Sequence, residues 1–294
     1  MVRFKRTRIK RGKVELLLWI LAFTFFVVYS ASLIYPLLWG GLASLKTMRE
    51  YDTEIFELPH KWQFINYVTA VNTIQDGEMS FMNMLWNSLW FSVGSAIIHM
   101  EFTSSYAYVL NKYDFKGKKF LYGLCLFMMA VPIGPTFVSN YRLIHNLGVT
   151  NSYLILLTAT GVYGMNLILC YSYYSNISRS YAEAAMIDGA NFYQTYFKAM
   201  RPQALPMMVT LILLEFIAKW NDYMTPLLYL SRMTTLATGL YRYQLIVSEP
   251  GSEASGDYPI LFAGLYICML PVFVLFAFFS DKLMQNINIG GLKG

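Results

Sequence analysis

Six apolar runs dominate the chain: Leu16–Leu38, Leu85–Leu110, Phe120–Asn140, Tyr153–Tyr174, Pro206–Leu230 and Ile260–Ser280. Each supplies the roughly 20 mostly apolar residues that a helix needs to cross a bilayer core. Six such runs packed as soluble helices would leave almost no polar face. The pattern predicts an all-α membrane protein with six transmembrane helices. The first run follows a basic leader and carries small residues at Ser30, Ala31 and Ser32, as a cleaved signal would. It stays apolar through Leu33, Ile34, Leu37, Leu38 and Trp39, which favours an uncleaved anchor.

Composition agrees. Of 294 residues, 56% are hydrophobic and 14% charged, against about 25% charged in soluble domains. The net charge of +6 would suit nucleic acid or an anionic surface, so placement must decide. Sixteen of the 23 Lys and Arg fall in the leader, the second-to-third loop, the fourth-to-fifth loop and the tail. Nine of the 17 acids fall in the alternate loops. The basic side faces the cytoplasm, so both termini are expected there. The charge reports topology in a lipid bilayer, and no nucleic-acid partner is needed to explain it. The expected organisation is a leader over 1–15 and one transmembrane domain over 16–294, with outer loops at about 40–84 and 231–259. The segment Ser248–Tyr258 reads as a flexible turn region. Cys125, Cys170 and Cys268 lie in apolar runs without metal or redox spacing.

The loop at about 175–205 is the most informative. Ser180 is a candidate N-cap, with Glu183 three residues on to complete a capping box. Ala182 to Met186 are helix formers, and Gly189 permits a bend. Phe192, Tyr196, Phe197 and Met200 form a second amphipathic stretch, which Pro202 and Pro206 are expected to end. The result is a short helix–bend–helix presenting aromatics and one carboxylate. It suits either a helix pair lying among lipid headgroups or a protein-docking element.

The string Glu183-Ala184-Ala185-Met186-Ile187-Asp188-Gly189-Ala190, followed by Phe192, Phe197, Pro202 and Pro206, resembles the EAA loop of ABC importer membrane subunits. That family usually has a hydrophobic residue before its first proline and leucine after it; here Arg201 and Gln203 stand there. Further matches resemble the carbohydrate-uptake, maltose-type branch. They are Asn87-Ser88-Leu89, Asp114-Phe115-Lys116-Gly117-Lys118, the prolines 132 and 135 after Met129, Leu147 to Tyr153, Trp220-Asn221-Asp222 and Gly291 to Gly294.

The resemblance implies a type I ABC importer permease in a bacterial or archaeal inner membrane. It implies a second homologous permease, two ATP-binding subunits and an extracytoplasmic sugar-binding protein as partners, with an oligosaccharide as cargo. Glu183, Ala184, Ala185, Asp188, Gly189, Ala190, Phe192 and Phe197 would couple to the ATPase. Glu183 would meet a basic group there, and the two phenylalanines would fill its cleft. No phosphate-binding G-x-x-x-x-G-K-[ST] string occurs; the nearest, Gly41 to Thr47, lacks the glycine before Lys46. No bound cofactor is expected for this chain, and ATP and Mg belong to the partners. A permease for another solute, or a stand-alone transporter or channel, remains open. A membrane enzyme does not fit, since no nucleophile–base pair or metal-spaced cluster is seen.

Ionisable groups inside membrane runs are costly and face protein or water. His99, Glu101, Glu215, Lys219 and Asp222 are such groups. Glu215 and Lys219 stand at i, i+4, and Lys219 and Asp222 at i, i+3, so these three share a face and are expected to pair. Asn87, Asn166, Lys219, Asn221 and Asp222 are candidates to line a sugar path, where amides offer fixed neutral hydrogen bonds. The bland alternative is bridging between helices.

Overall fold

A computed structural model describes residues 13–131, 137–160, 164–252 and 254–287. Most of the leader, Pro132, Pro135 and Gly291 to Gly294 lie outside the described residues. Helices make up nearly all the described regular structure, and its only β feature is an isolated bridge between Asp76 and Met79.

The helix α4, Phe81–Lys112, is the central element. Ser80 caps it, its hydroxyl accepting from Asn83 N at 3.4 Å. Along one side it buries Ser88, Ser92, Ser95, Thr103 and Ser104. Small residues let backbones approach closely where lipid gives no hydrophobic drive for helix association. The helices α7 (Met165–Asn176) and α10 (Arg201–Trp220) pack on this side.

The run 120–140 is divided between α5, Lys118–Ala130, and α6, Phe137–Asn146. Among the described residues the run 153–174 holds a 3₁₀ segment, Tyr153–Thr160, and an α-helix, α7. It is therefore not one α-helix. Gly164, at φ +87°, sits at the α7 start in a conformation that L side chains rarely adopt.

The run 206–230 is displaced along the chain. The helical path begins at Phe192, passes through Pro202 and Pro206, and ends at Trp220. The two prolines do not stop it. Pro202 sits in the first turn of α10, where a missing N–H is tolerated. Thr195–Met200 just before it is a π-helical turn. Residues 224–229 form a separate helix, α11 (Met224–Tyr229).

Three described helices are long and apolar enough to cross a membrane: Val14–Ala43, Phe192–Trp220 and Tyr258–Phe279. The first belongs to α1, Lys13–Ala43, whose apolar side chains are exposed until its last residues meet α13, Tyr258–Ile287. The segment 40–84 carries α2 (Met48–Thr53) and α3 (Ile65–Thr73). The buried Lys46 ammonium holds it in shape by donating to Glu54 O at 2.6 Å and Ile55 O at 3.2 Å.

In the segment 231–259 the described residues between Ser248 and Tyr258 are turns, as the sequence predicts, and a helix precedes them. That helix is α12, Leu236–Ser248, which packs on α4 and α13. Leu236, Leu240, Tyr243 and Val247 recur on one helical face, and all four are buried. Ile74, Phe81, Met84 and Leu261 complete that cluster. A second cluster joins α4, α7 and α10 near the 175–205 loop.

Candidate functional site

The 175–205 loop folds as a helix, a sharp bend and a widened turn. The helix α8 spans Ser180–Ile187. Ser180 is its first residue rather than its cap, and Arg179 occupies the cap position without a side-chain bond. The Ser180 hydroxyl meets Ser178 Oγ at 2.8 Å, so the expected box with Glu183 does not form.

Asp188-Gly189-Ala190 closes α8. Ala190 N donates to Ala185 O at 2.9 Å, and Gly189 N donates to Met186 O at 3.1 Å. This double closure requires a left-handed residue, and Gly189 has φ +84°. A capping box does occur one element later, where the sequence reading had not placed it. Asn191 Oδ1 accepts from Gln194 N at 2.9 Å, and Gln194 Oε1 accepts from Asn191 N at 3.0 Å. It opens the short helix α9, Phe192–Gln194.

One face of the loop is anchored. Ala182 is buried beside Tyr108, Tyr174 and Tyr196. Tyr174 OH lies 2.8 Å from Ser104 Oγ, and Tyr196 OH donates to the same oxygen at 3.2 Å. Lys112 donates to Ile177 O at 2.5 Å. The turn after α4, with Gly117 at φ +95°, adds a charged tie. Asp114 meets Lys118 at 3.0 Å and Arg179 at 3.8 Å. The Lys118 ammonium, with help from Arg179, holds the Asp114 carboxyl below its usual range.

The other face is open. Glu183, Ala184, Asp188 and Gly189 are exposed, and Ala185 and Ala190 partly so. Glu183 meets no side-chain partner among the described residues. Ile187 is 86% exposed and Tyr193 71%, beside exposed Met186, Phe192 and Phe197. Phe192 also packs on Tyr113, ring centroids 5.1 Å apart, and Phe197 on Tyr196 at 4.9 Å. Phe192, Tyr193 and Phe197 line one side of a cleft of about 640 Å³ whose other lining includes Glu101, Phe102 and Val109.

The polar groups of the spans are distributed differently from the sequence expectation. Asn166 Nδ2 lies 3.3 Å from Glu215 Oε2 and 3.4 Å from His99 Nε2, so three helices share one polar cluster. Glu215 therefore turns to Asn166 and not to Lys219. Lys219 pairs with Asp222 at 3.9 Å. Asp222 also accepts from Thr225 N at 2.9 Å, which starts α11. Asn221 donates to Ile217 O at 2.8 Å and ends α10. Asn87 is buried, donates to Thr234 O at 3.0 Å and accepts from Trp90 Nε1 at 3.2 Å.

Residues 102–288 match the family described as "binding-protein-dependent transport system inner membrane component". The chain belongs to this family. It is therefore a transport subunit of a membrane, not itself an enzyme.

Two relatives show how far the likeness extends for this inner-membrane component. The probable ABC transporter permease protein YurM of Bacillus subtilis is 28% identical over 274 residues, covering 92% of this chain and 87% of that protein. The arabinooligosaccharides transport system permease protein AraQ of Halalkalibacterium halodurans is 28% identical over 294 residues, covering 97% and 100%. The fold matches a chain of a bacterial ABC transporter involved in import of the acidic polysaccharide alginate. That match has a TM-score of 0.78 and 20% identity, and covers 92% and 98% of the two chains.

Two features of this subunit had no place in the sequence reading. Arg201 is bound to Glu101, one hundred positions away, with Nε 3.1 Å from both carboxylate oxygens. Glu101 is visible as a charge inside an apolar run and Arg201 as one just before another, but no local spacing links them. Glu54, Glu57 and His60 also gather, with ligand atoms within 4.8 Å of one another, on an exposed turn where His60 meets Glu54 at 2.7 Å.

Proposed function

We propose that this chain is the permease subunit of an ABC importer that carries an oligosaccharide. Support for the cargo comes from what related permeases are named for: arabinooligosaccharides, diacetylchitobiose and polygalacturonan or rhamnogalacturonan. The observation that carries the mechanism is the two-faced loop at 175–205. One face is fixed on α4 and α10, and the opposite face displays the Glu183 carboxylate and the exposed side chains of Met186, Ile187 and Tyr193 beside the half-packed rings of Phe192 and Phe197.

In this reading the open face meets an ATP-binding subunit. Glu183 pairs with a basic group there, and the left-handed Gly189 holds the turn between the contacting helices. Ala184, Ala185, Asp188 and Ala190 form the close-approach surface, and Phe192 and Phe197 reach the cleft of the ATPase. ATP and Mg bind to two such subunits. A second homologous permease completes the path, and an extracytoplasmic protein delivers the sugar. The chain crosses the membrane six times, with both termini and the 175–205 loop in the cytoplasm, as the Lys and Arg distribution supports.

The sugar path runs beside Asn166, Lys219 and Asp222. The Asn166 cluster supports this, because partly exposed polar groups at membrane depth must face protein or water. Asn87 and Asn221 contribute by fixing α4 against the segment before α12 and by ending α10.

The test is substrate-stimulated ATP hydrolysis by the assembled transporter with its genomic neighbours. A panel of di- to hexasaccharides, amino acids and inorganic ions would be offered with the binding protein. Stimulation by saccharides alone is expected. Stimulation by an amino acid or an ion alone would overturn the cargo assignment.

A further inference from the structure

The contact between Arg201 and Glu101 ties the first residue of α10 to the interior of α4. Arg201 Nε lies 3.1 Å from each oxygen of Glu101, and Nη2 also donates to Oε1. A guanidinium fork closed on both oxygens of a carboxylate fixes orientation as well as distance. The side chains are 31% and 27% exposed, so water screens them only in part. Glu101 stands eleven residues before the α4 end at Lys112, about 16 Å along the axis.

The backbone just before Arg201 is what aims it. Thr195–Met200 is π-helical, and Arg201 N donates back to Tyr196 O, five residues earlier. Pro202 has no N–H to give Lys198 O, so the ladder is already interrupted there. One extra residue in a turn rotates the downstream helix by about 100°. The same π turn carries Tyr196, whose hydroxyl donates to Ser104 Oγ and accepts from Ser105 Oγ at 3.3 Å. The loop is thus tied to two successive turns of α4, by hydroxyls at 104 and 105 and by charge at 101. An apolar contact at position 101 would slide; the fork resists both rotation and translation.

We propose that the Glu101–Arg201 pair is the positioning contact through which the 175–205 loop moves α4 during transport. This rests on the docking role proposed for Glu183 through Phe197. A shift of the loop against its ATPase then reaches α4 as a displacement at Glu101 rather than as slack at its end.

The test uses the complete transporter in proteoliposomes and reads solute imported per ATP hydrolysed. Glu101→Gln and Arg201→Gln are each expected to lower this ratio about tenfold, within the usual range for coupling between sites, while the hydrolysis rate changes less than twofold. The double variant should be no worse than either single. A ratio equal to wild type, or losses that multiply in the double, would overturn the proposal. Should the neutral variants fail to assemble, Glu101→Asp and Arg201→Lys retain charge while disturbing the two-point contact. A lowered ratio in both is expected, and an unchanged ratio in both would overturn it. Glu183→Lys separates the two ideas. If it alone destroys coupling, docking stands and the pair fails. If it has no effect, the docking role fails first.

Discussion

Arg242 closes on Asp76 through Nη1, 2.6 Å from each carboxylate oxygen, and so joins α12 to the turn before α4. Thr234 Oγ1 donates to the same carboxylate at 2.5 Å. The Asp76 side chain is 12% exposed, so its loss leaves an Arg charge and a hydroxyl without their acceptor. Asp76→Ala is expected to cost about 1–3 kcal/mol, less than a fully buried pair because Arg242 is one-third exposed. Thermal melting in detergent checks this, and a joint Asp76→Ala/Arg242→Ala variant should lose less than the sum of the singles.

Gly189 is held at φ +84° with nothing within 4 Å of where a Cβ would stand. Crowding is therefore not the constraint; backbone sign is. Gly189→Ala should cost about 1–2 kcal/mol at the bend and leave the fold intact. Gly189→Pro cannot reach a positive φ and removes the N–H that closes α8. It is expected to abolish transport and coupling while membrane insertion, measured by protease protection, stays normal.

Much of the fold was legible because membrane depth leaves few choices. The apolar runs locate α1, α4 and the start of α13 to within about five residues. Where the runs failed, backbone chemistry decided. Gly164 and the 3₁₀ stretch divide the 153–174 run, and Asn221 ends α10 ten residues before the apolar run does. α12 was legible and missed. Its Leu236, Leu240, Tyr243 and Val247 repeat at helical spacing, but the whole stretch 231–259 lacks the length of a span and so reads as an outer loop. In the loop, the Asp188-Gly189-Ala190 bend follows from glycine alone. Ser180 and Asn191 both carry a capping-box spacing, but Ser180 is already helical with its hydroxyl on Ser178, and only Asn191 has the extended backbone of a cap. The Glu101–Arg201 pair depends on a rotation set by the π turn, which no periodicity announces.

The capping box of α2 makes that helix sensitive to acid. Glu50 Oε2 accepts from Thr47 N at 2.9 Å and Thr47 Oγ1 at 3.0 Å. The Thr47 backbone N–H is the main cause holding the Glu50 carboxyl below its ordinary value of 4.5. A lowered carboxyl stabilises the folded helix above that ordinary value, and the contribution is lost as pH falls through the folded one. Hydrogen-exchange protection over 47–53, corrected for intrinsic rate, should therefore drop on acidification below about pH 4.5. Thr47→Ala should lower protection at pH 7 by about 1 kcal/mol and flatten the dependence.

Asn166 separates path from packing. As a path residue, Asn166→Ala should raise the KM of uptake about tenfold while the melting temperature moves little, because interhelical hydrogen bonds in membranes average about 0.6 kcal/mol. A fall in melting temperature with unchanged KM would assign Asn166 to holding α4, α7 and α10 together.

Coupling at Glu183 is the central claim, and ATP-dependent uptake of a labelled oligosaccharide into proteoliposomes measures it directly. The assembled wild-type transporter, supplied with its binding protein, should accumulate sugar only with ATP. The same assembly carrying Glu183→Lys should insert normally and accumulate none above the ATP-free background. Wild-type uptake by the Glu183→Lys assembly, or wild-type uptake that needs no ATP, would contradict it.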